Sequence, residues 1–215
     1  MVPSLKARLA NLKEFIVENE KTARKFLKEA EIVSPQSELI IREYGKHNKE
    51  ALSVYFKSLE EGFDVGLLSE AGCPAIADPG AEIVLEAHKR HIQVIPFVGA
   101  SSIILGLMAS GFNGQSFCFQ GYLPFDRPQK KIKIKFLEAE SLRLNQTQIF
   151  IETPYRNRQL LEELVLNLQH DTFLCVAAGL TTANEYIYSA KIGEWKGKLP
   201  ELNKIPAIFL IYRPK

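Results

Sequence analysis

The chain of 215 residues lacks the sequence features that mark metal proteins, secreted proteins and membrane proteins. Its three cysteines, Cys73, Cys118 and Cys175, are widely spaced and form neither a Cys-x-x-Cys pair nor a cluster with histidine. This usage suits a reducing compartment and offers no metal site. Apolar runs such as Ile103 to Ala109 are too short to cross a bilayer, and the N-terminus does not have the regions of a signal peptide. We therefore expect a cytoplasmic protein with no membrane span and no metal.

Net charge is also nearly absent, since 27 basic and 25 acidic residues leave a formal charge of +2. This balance argues against nonspecific coating of nucleic acid, although it permits a local basic patch. Residues 127–135, RPQKKIKIK, carry five lysines or arginines. They predict either a solvated helix edge or a surface that contacts phosphate groups.

The composition is that of a globular protein, and helices and strands are predicted in alternation. The apolar runs Phe63 to Leu68 and Ile92 to Phe97 are typical of buried parallel strands, and each precedes a loop and a helix. Two successive strand–loop–helix units predict a parallel sheet covered by helices in the first half. The second half ends in the strands Tyr186 to Lys191 and Ala207 to Tyr212, which predict a mixed sheet with a hairpin-like edge.

The predicted fold class is thus α/β, with two α/β domains. Residues 121–128 contain glycine and proline and resemble a linker. We expect an N-terminal parallel-sheet domain over residues 1–120 and a C-terminal mixed-sheet domain over residues 121–215.

The segment Ser69 to Gly80, SEAGCPAIADPG, is the most informative part of the sequence. It follows a predicted buried strand, and open α/β sheets bind ligands at the carboxyl ends of their strands. Gly72 allows a ligand to approach the backbone closely. Asp78, taken alone, is predicted to cap the following helix rather than to contact a ligand. The segment Val98 to Ser102, VGASS, is placed in the same way after the next strand, although its serines taken alone are more typical of helix N-caps.

These segments, together with ASGF, FQGYLP and FIETPYRN, occur in an order and spacing that resemble one family. The sequence resembles the tetrapyrrole-methylase superfamily, and within it the branch that methylates the 2′-oxygen of a cytidine ribose in 16S rRNA. The similarity extends from about Phe15 to Tyr212.

The resemblance implies S-adenosylmethionine as methyl donor, held in a cleft between the two domains of a homodimeric enzyme. The small ribosomal subunit or its rRNA is the implied acceptor. Phe117, Phe119, Tyr122 and Phe125 are candidates for either a dimer interface or core packing. The positions that correspond to donor-binding residues are Ala71, Gly72, Cys73, Ile76, Ser101, Ser102, Glu152, Ala178, Pro206 and Ala207.

Methyl transfer to a hydroxyl group requires accurate positioning and is helped by a base that receives the hydroxyl proton. The candidates for that base are Glu18, Glu20, His47 and Glu70, and the sequence does not choose among them.

The chain departs from the family pattern in three places. The family opens with a strand and a loop of the form PTPIGNL, and residues 1–12 do not match it, so this strand is missing or divergent. The family's EDTR is ENEK at residues 18–21, and its ARELTK is AAGLTT at residues 177–182. These changes leave two alternatives to an rRNA methyltransferase: a methyltransferase for a small or tetrapyrrole-like acceptor, and a noncatalytic binding protein on the same fold.

Overall fold

A computed structural model describes residues 7–45, 51–195, 197 and 199–215. Contacts divide the chain into one compact unit that ends at Ala100 and a second that begins at Ser101. Among the described residues, no helix is long and apolar enough to cross a membrane.

The first unit is built on a parallel sheet of three strands. Its elements are β1 (Glu14–Val17), α1 (Glu20–Glu29), β2 (Ile40–Glu43), α2 (Leu52–Glu60), β3 (Val65–Leu68) and α3 (Ala81–Lys89). The strand order is β2-β1-β3, so the fully buried β1 lies in the centre. This confirms the parallel sheet expected in the first half.

Side chains of β1 alternate between two apolar clusters, one on each face of the sheet. Phe15 and Val17 pack with Leu27 of α1, whereas Ile16 packs with Phe56 of α2. Parallel sheets require helices on both faces, and β1 is accordingly apolar on both. Gly66 of β3 leaves room for the ring of Phe15, because a Cβ at this glycine would lie 2.6 Å from the Phe15 Cδ1 atom.

The expected strand Ile92 to Phe97 is not formed, and its residues lie in irregular backbone. Ile92 and Val94 pack against the cluster of α2, but Ile95 and Phe97 remain 48% and 42% exposed. Pro96 has no backbone N–H to donate to a neighbouring strand. An apolar run becomes a strand only where another strand edge pairs with it, and β3 has one hydrogen-bonded neighbour, β1, in the described sheet.

The second unit contains a mixed sheet of five strands in the order β4-β5-β8-β6-β7. Its elements are α4 (Ser102–Ser110), β4 (Phe117–Tyr122), α5 (Arg127–Leu144), β5 (Thr147–Ile151), α6 (Asn157–Asn167), β6 (Phe173–Ala178), β7 (Tyr186–Lys191), α7 (Ile192–Trp195) and β8 (Ala207–Tyr212). Strands β4 and β5 are parallel, and the remaining neighbours are antiparallel.

The mixed sheet is therefore confirmed, but the hairpin-like edge differs from the expectation. The last two strands do not pair with each other. Instead β6 and β7 form the antiparallel edge, and β8 inserts between β5 and β6. The insertion buries β8 completely over residues 208–211, as its sequence IFLI requires.

The boundary between the units lies about 20 residues before the one expected at residue 120. Helix α4 explains the difference, because it packs closely on the sheet of the second unit. A Cβ at Gly106 would lie 2.7 Å from the Cγ2 atom of Ile208, so only a glycine allows the helix this approach. The linker-like residues 121–128 accordingly lie inside the second unit, between β4 and α5.

Candidate functional site

The loop 69–80 begins where β3 ends, at the carboxyl edge of the first sheet. Ala71, Gly72 and Ile76 are exposed, and Cys73 is half-buried with its Sγ atom 4.0 Å from the carbonyl oxygen of Ala100. The loop closes on itself through the N–H of Ala75, which donates to the carbonyl of Pro79 at 3.2 Å. Four expected donor-binding residues are thus presented to solvent by a loop with its own hydrogen bonds.

Backbone strain is concentrated in this loop. Ala75 and Ala77 have φ angles of 68° and 62°, in the left-handed region that costs an ordinary residue about 1–2 kcal/mol. Gly72 has a φ of 86°, and no atom would lie within 4 Å of a Cβ there. Such strain persists where surrounding structure enforces it, and it is typical of ligand-binding segments. The open space beside Gly72 is suited to a ligand that contacts the backbone directly.

Three carboxylates, which we call the loop carboxylates, lie in or beside this loop: Glu18, Glu70 and Asp78. The Glu18 Oε1 atom accepts a hydrogen bond from the backbone N–H of Glu70 at 2.9 Å. The carboxylate of Glu70 in turn accepts a hydrogen bond from the hydroxyl of Thr22. Burial, and secondly the negative charge of Glu18, raise the pKa of Asp78 above its ordinary value.

Asp78 is not the helix cap that the sequence predicts. The N-cap of α3 is Gly80, whose φ of 122° suits glycine, and no side chain makes a capping hydrogen bond there. Asp78 instead joins the loop carboxylates. Asp78 lies two residues before the N-cap, and an aspartate shortly before an apolar helix is a common start signal, which explains the difference.

The other two candidate bases are placed differently. Glu20 lies in the first turn of α1, where its carboxylate pairs with Arg24 at 2.7 Å. This pair occupies the carboxylate within its own helix. His47 lies outside the described residues. Of the three candidates among the described residues, Glu18 and Glu70 are therefore the two that the structure brings together at the loop.

In the second unit, Ser101 and Ser102 lie at the start of α4. Ser101 occupies the N-cap position, but its side chain makes no capping hydrogen bond. Its carbonyl accepts the first helical bond from Leu105 at 2.9 Å. The first N–H groups of a helix have no partner within the helix and favour negatively charged or polar ligands.

Four further donor-binding candidates meet at one edge of the second sheet. Ala178 is paired with Ala207 in register, at the end of β6 and the start of β8. The Gly179 N–H donates to the carbonyl of Pro206 at 2.9 Å. Glu152 follows β5 directly, at the same edge, because β5 and β6 both run antiparallel to β8. Strand topology thus brings together residues separated by about 50 positions in sequence.

Glu152 is buried and held by an ion pair. Its Oε1 atom lies 2.6 Å from the Nη2 atom of Arg156 and accepts the backbone N–H of Thr153 at 2.7 Å. The guanidinium of Arg156 lies 4.9 Å from the centre of the Phe125 ring. A glutamate held in this way shapes the loop 152–156.

Asn157 fixes the Pro206–Ala207 segment, although the residue was not among the sequence-based candidates. Its side chain is fully buried, and its Nδ2 atom donates to the carbonyl of Ile205 at 2.6 Å. The Oδ1 atom of Asn157 is buried without a hydrogen-bond partner. The signal was present in FIETPYRN, whose last residue is this asparagine, but a motif alone does not show that it reaches 48 residues along the chain.

The chain is similar to known proteins in sequence and in fold. A model of the family "Tetrapyrrole (Corrin/Porphyrin) Methylases" matches residues 7–196. The chain is 42% identical to a Ribosomal RNA small subunit methyltransferase I of Halalkalibacterium halodurans over 126 residues. The aligned residues make up 58% of this chain and 42% of that protein. It is 29% identical over 201 residues to the protein of that name in Synechocystis sp., and this alignment covers 93% of this chain and 66% of that protein.

The chain thus spans between about two fifths and two thirds of the length of these curated relatives. Among solved structures, a uroporphyrin-III C-methyl transferase from Thermus thermophilus, complexed with S-adenyl homocysteine, matches with a TM-score of 0.57 and 15% identity. That match covers 99% of this chain and 91% of the other, and it shows a shared fold. The family model covers most of the sequence, including the loop 69–80 and the start of α4, and the chain belongs to the tetrapyrrole (corrin/porphyrin) methylase family.

Proposed function

We propose that the protein is an S-adenosylmethionine-dependent methyltransferase that methylates a ribose 2′-hydroxyl of 16S rRNA. The observation that carries this proposal is the strained, solvent-exposed loop 69–80 at the carboxyl edge of the first sheet. The rRNA acceptor is supported by the names of the relatives in Halalkalibacterium and Synechocystis.

The donor would be held mainly by backbone groups. Ala71, Gly72, Cys73 and Ile76 offer exposed or half-buried backbone in the first unit. Ser101 and Ser102 offer the start of α4, and Ala178, Pro206 and Ala207 offer the edge of the second sheet. The small side chains at most of these positions are compatible with recognition through N–H and carbonyl groups.

When bound, the donor supplies an activated methyl group on a sulfonium. The loop carboxylates would receive the proton that the ribose hydroxyl loses as its oxygen forms the new bond to the methyl carbon, leaving a neutral thioether. Glu18 and Glu70 hold each other's position through the Glu70 N–H, and the raised pKa of Asp78 makes it a better proton acceptor than an ordinary aspartate. Fixed positions matter here, because alignment supplies much of the rate in a bimolecular transfer.

Calorimetric titration with S-adenosylmethionine and with its demethylated product tests donor binding. We expect micromolar affinity, and at least a tenfold loss for Gly72→Val, which fills the open space beside the loop backbone. Gly62→Val is the matched control, because Gly62 has a similar φ of 89° and equally open space but lies outside the loop. Absence of binding by the unaltered protein would refute the donor assignment, as would equal losses in the two variants.

Incubation with isolated small ribosomal subunits and methyl-labelled donor tests the acceptor. Label in 16S rRNA supports the proposal. Label in a uroporphyrin-type tetrapyrrole, with none in the RNA, would favour the second candidate, a methyltransferase for small acceptors, to which the Thermus thermophilus neighbour points. If the protein bound the donor but methylated neither the RNA nor the tetrapyrrole, a noncatalytic binding protein on the same fold would be favoured.

A cytoplasmic homodimer completes the proposal. Phe117, Tyr122 and Phe125 are 40%, 56% and 78% exposed, whereas Phe119 packs against the core of the second unit. Three of the four aromatic candidates are therefore available for an interface. Sedimentation equilibrium would give twice the chain mass of 24.3 kDa if the protein is a dimer.

A further inference from the structure

Helix α5 begins with five cations in nine residues, and the structure separates them into different roles. Lys130 is buried, and its Nζ atom pairs with Glu163 of α6 at 3.1 Å. Lys133 places its Nζ atom 5.2 Å from the centre of the Phe136 ring. Lys130 thus serves the packing of the helix, whereas Lys133 contacts an exposed ring of its own helix. Arg127, Lys131 and Lys135 remain exposed.

The three exposed cations are spaced four residues apart. At 1.5 Å of rise per residue they are displaced by about 6 Å from one to the next along the helix axis. This displacement is close to the separation of successive phosphates in an extended nucleic-acid strand. Across the described ranges, no ion pair is recorded for Lys131 or Lys135. Arg127 has only a loose contact with Glu163, at 3.5 Å.

These cations line a furrow between α5 and α6, which we call the α5–α6 furrow. Its first part is a cavity of about 550 Å³ that includes Arg127, Lys131 and Gln159. Its second part is a cavity of about 360 Å³ that includes Lys135, Arg143 and Arg213. Both parts share Asn167, the last residue of α6, so the furrow continues along α5 past the end of α6.

The carboxylates along the furrow already have partners. Glu162 pairs with Arg158 at 2.8 Å, and Glu163 pairs with the buried Lys130. Glu138 accepts the Gln169 N–H at 2.8 Å and the hydroxyl of Thr172. These contacts leave Lys131 and Lys135 as unneutralised positive charges.

We propose that the α5–α6 furrow binds the sugar–phosphate backbone of single-stranded RNA. This proposal rests on the proposed function, which makes RNA the acceptor. The positive charge of the furrow is complementary to a phosphate chain. The furrow extends about 24 Å from Arg127 to Arg143 at 1.5 Å per residue, which is enough for several nucleotides. Contacts to phosphates position an RNA strand without reading its sequence.

The test is fluorescence-anisotropy titration of a labelled single-stranded RNA oligonucleotide, repeated at several salt concentrations. Each phosphate contact to a single strand contributes about 0.7 to the slope of log affinity against log salt. Lys131→Gln combined with Lys135→Gln should lower that slope by about 1.4. Affinity in 0.1 M salt should fall by about 25-fold, and the difference should disappear toward 1 M.

Lys28→Gln combined with Lys57→Gln is the matched control. Both lysines are exposed on helices of the first unit, and the pair makes the same change in net charge. Equal affinities and salt slopes for the two double variants would overturn the proposal. So would efficient displacement of the RNA by polyglutamate of matched charge, which would assign the furrow to acidic proteins instead.

Donor titration and thermal unfolding by circular dichroism separate this proposal from the function beneath it. The furrow variant should bind the donor product as the unaltered protein does and unfold at the same temperature. Donor binding without RNA binding in the unaltered protein would overturn the furrow alone. If the unaltered protein bound neither the donor nor the RNA, the proposed function would be overturned together with the furrow.

Discussion

Replacing Asn157 with leucine separates a positioning role in donor binding from a role in stability. The side chain donates one hydrogen bond to the Ile205 carbonyl at 2.6 Å, while its Oδ1 atom is buried without a partner. A buried hydrogen bond stabilises a protein by about 1 kcal/mol net, and an unsatisfied buried polar atom costs about 1–3 kcal/mol. Leucine of similar volume removes both effects and leaves only the Ile205 carbonyl unpaired.

We therefore expect Asn157→Leu to change the free energy of unfolding by no more than about 1 kcal/mol. Donor affinity should nevertheless fall by up to about tenfold, equal to about 1.4 kcal/mol, because Pro206 and Ala207 lose the bond that holds the preceding carbonyl. Urea unfolding measures the first quantity, and calorimetric titration with the demethylated donor measures the second.

Two comparison variants make this result decisive. Asn113→Leu removes a similar bond, from the Asn113 side chain to the Asn145 carbonyl at 2.5 Å, and should lower stability without changing donor affinity. Asn157→Asp should destabilise by about 3–5 kcal/mol at neutral pH, because it buries an unpaired charge. Unchanged donor affinity in Asn157→Leu would refute the positioning role. A loss of more than about 3 kcal/mol in the free energy of unfolding would show that removing the unsatisfied Oδ1 atom does not offset the lost hydrogen bond.

Three further predictions concern the fold and the loop. Gly66→Ala should destabilise by about 1–3 kcal/mol in urea unfolding, because its Cβ would lie 2.6 Å from the buried Phe15 ring, whereas Gly45→Ala, with open space, should change little. Asp78→Asn should gain stability relative to the unaltered protein as pH rises from about 4 to 7. The raised pKa means that the folded state holds the Asp78 proton more tightly than the unfolded state, so ionisation disfavours folding; unfolding curves with parallel pH dependence would contradict this. Burial raises the pKa of Cys175 to about 12, so its thiol should resist an aromatic disulfide reagent at pH 8 until urea unfolds the protein, while the half-buried Cys73 reacts in the native state.

Local patterns predicted the strands that carry their own signal. Tyr186–Lys191 and Ala207–Tyr212 form as expected, because apolar and aromatic residues favour strands. The insertion of β8 between β5 and β6 was not predictable from these patterns, because strand order depends on contacts between distant residues. Ile92 to Phe97 shows the opposite case, in which a strand-like run remains irregular because pairing, and not composition, defines a strand.

The candidate site divides in the same way. The loop 69–80 was identifiable because glycine, proline and aspartate at short spacing specify its turns locally. The meeting of Glu18 with Glu70 was not, because it depends on the parallel pairing of β1 with β3, which aligns the ends of both strands. Asn157 was missed for the same reason, since its partner Ile205 enters the site through the topology of the second sheet.

Residues 177–182, which depart from the family pattern, lie at the end of β6 and in the turn that follows it. Ala177 and Ala178 are each 1% exposed at the end of β6, where a charged side chain would be buried. Gly179 has a φ of 58°, and a Cβ there would lie 3.1 Å from the Asn184 carbonyl oxygen. Thr181, with a φ of 66°, donates its N–H to Glu185 at 2.7 Å, and Thr182 donates its hydroxyl to the Gly179 carbonyl at 2.7 Å.

Such a connected set of hydrogen bonds indicates that the altered residues form a defined structure. Gly179→Ala tests this interpretation, because it adds one methyl group to a left-handed position beside a backbone oxygen. The expected loss is about 1–2 kcal/mol in the free energy of unfolding. The equivalent change at Gly111, which has a φ of 75° and no atom within 4 Å, should show the backbone contribution alone. If the two variants lost equal stability, the close contact with Asn184 would carry no energy, and the turn would be an ordinary loop that tolerates whatever residues occupy it.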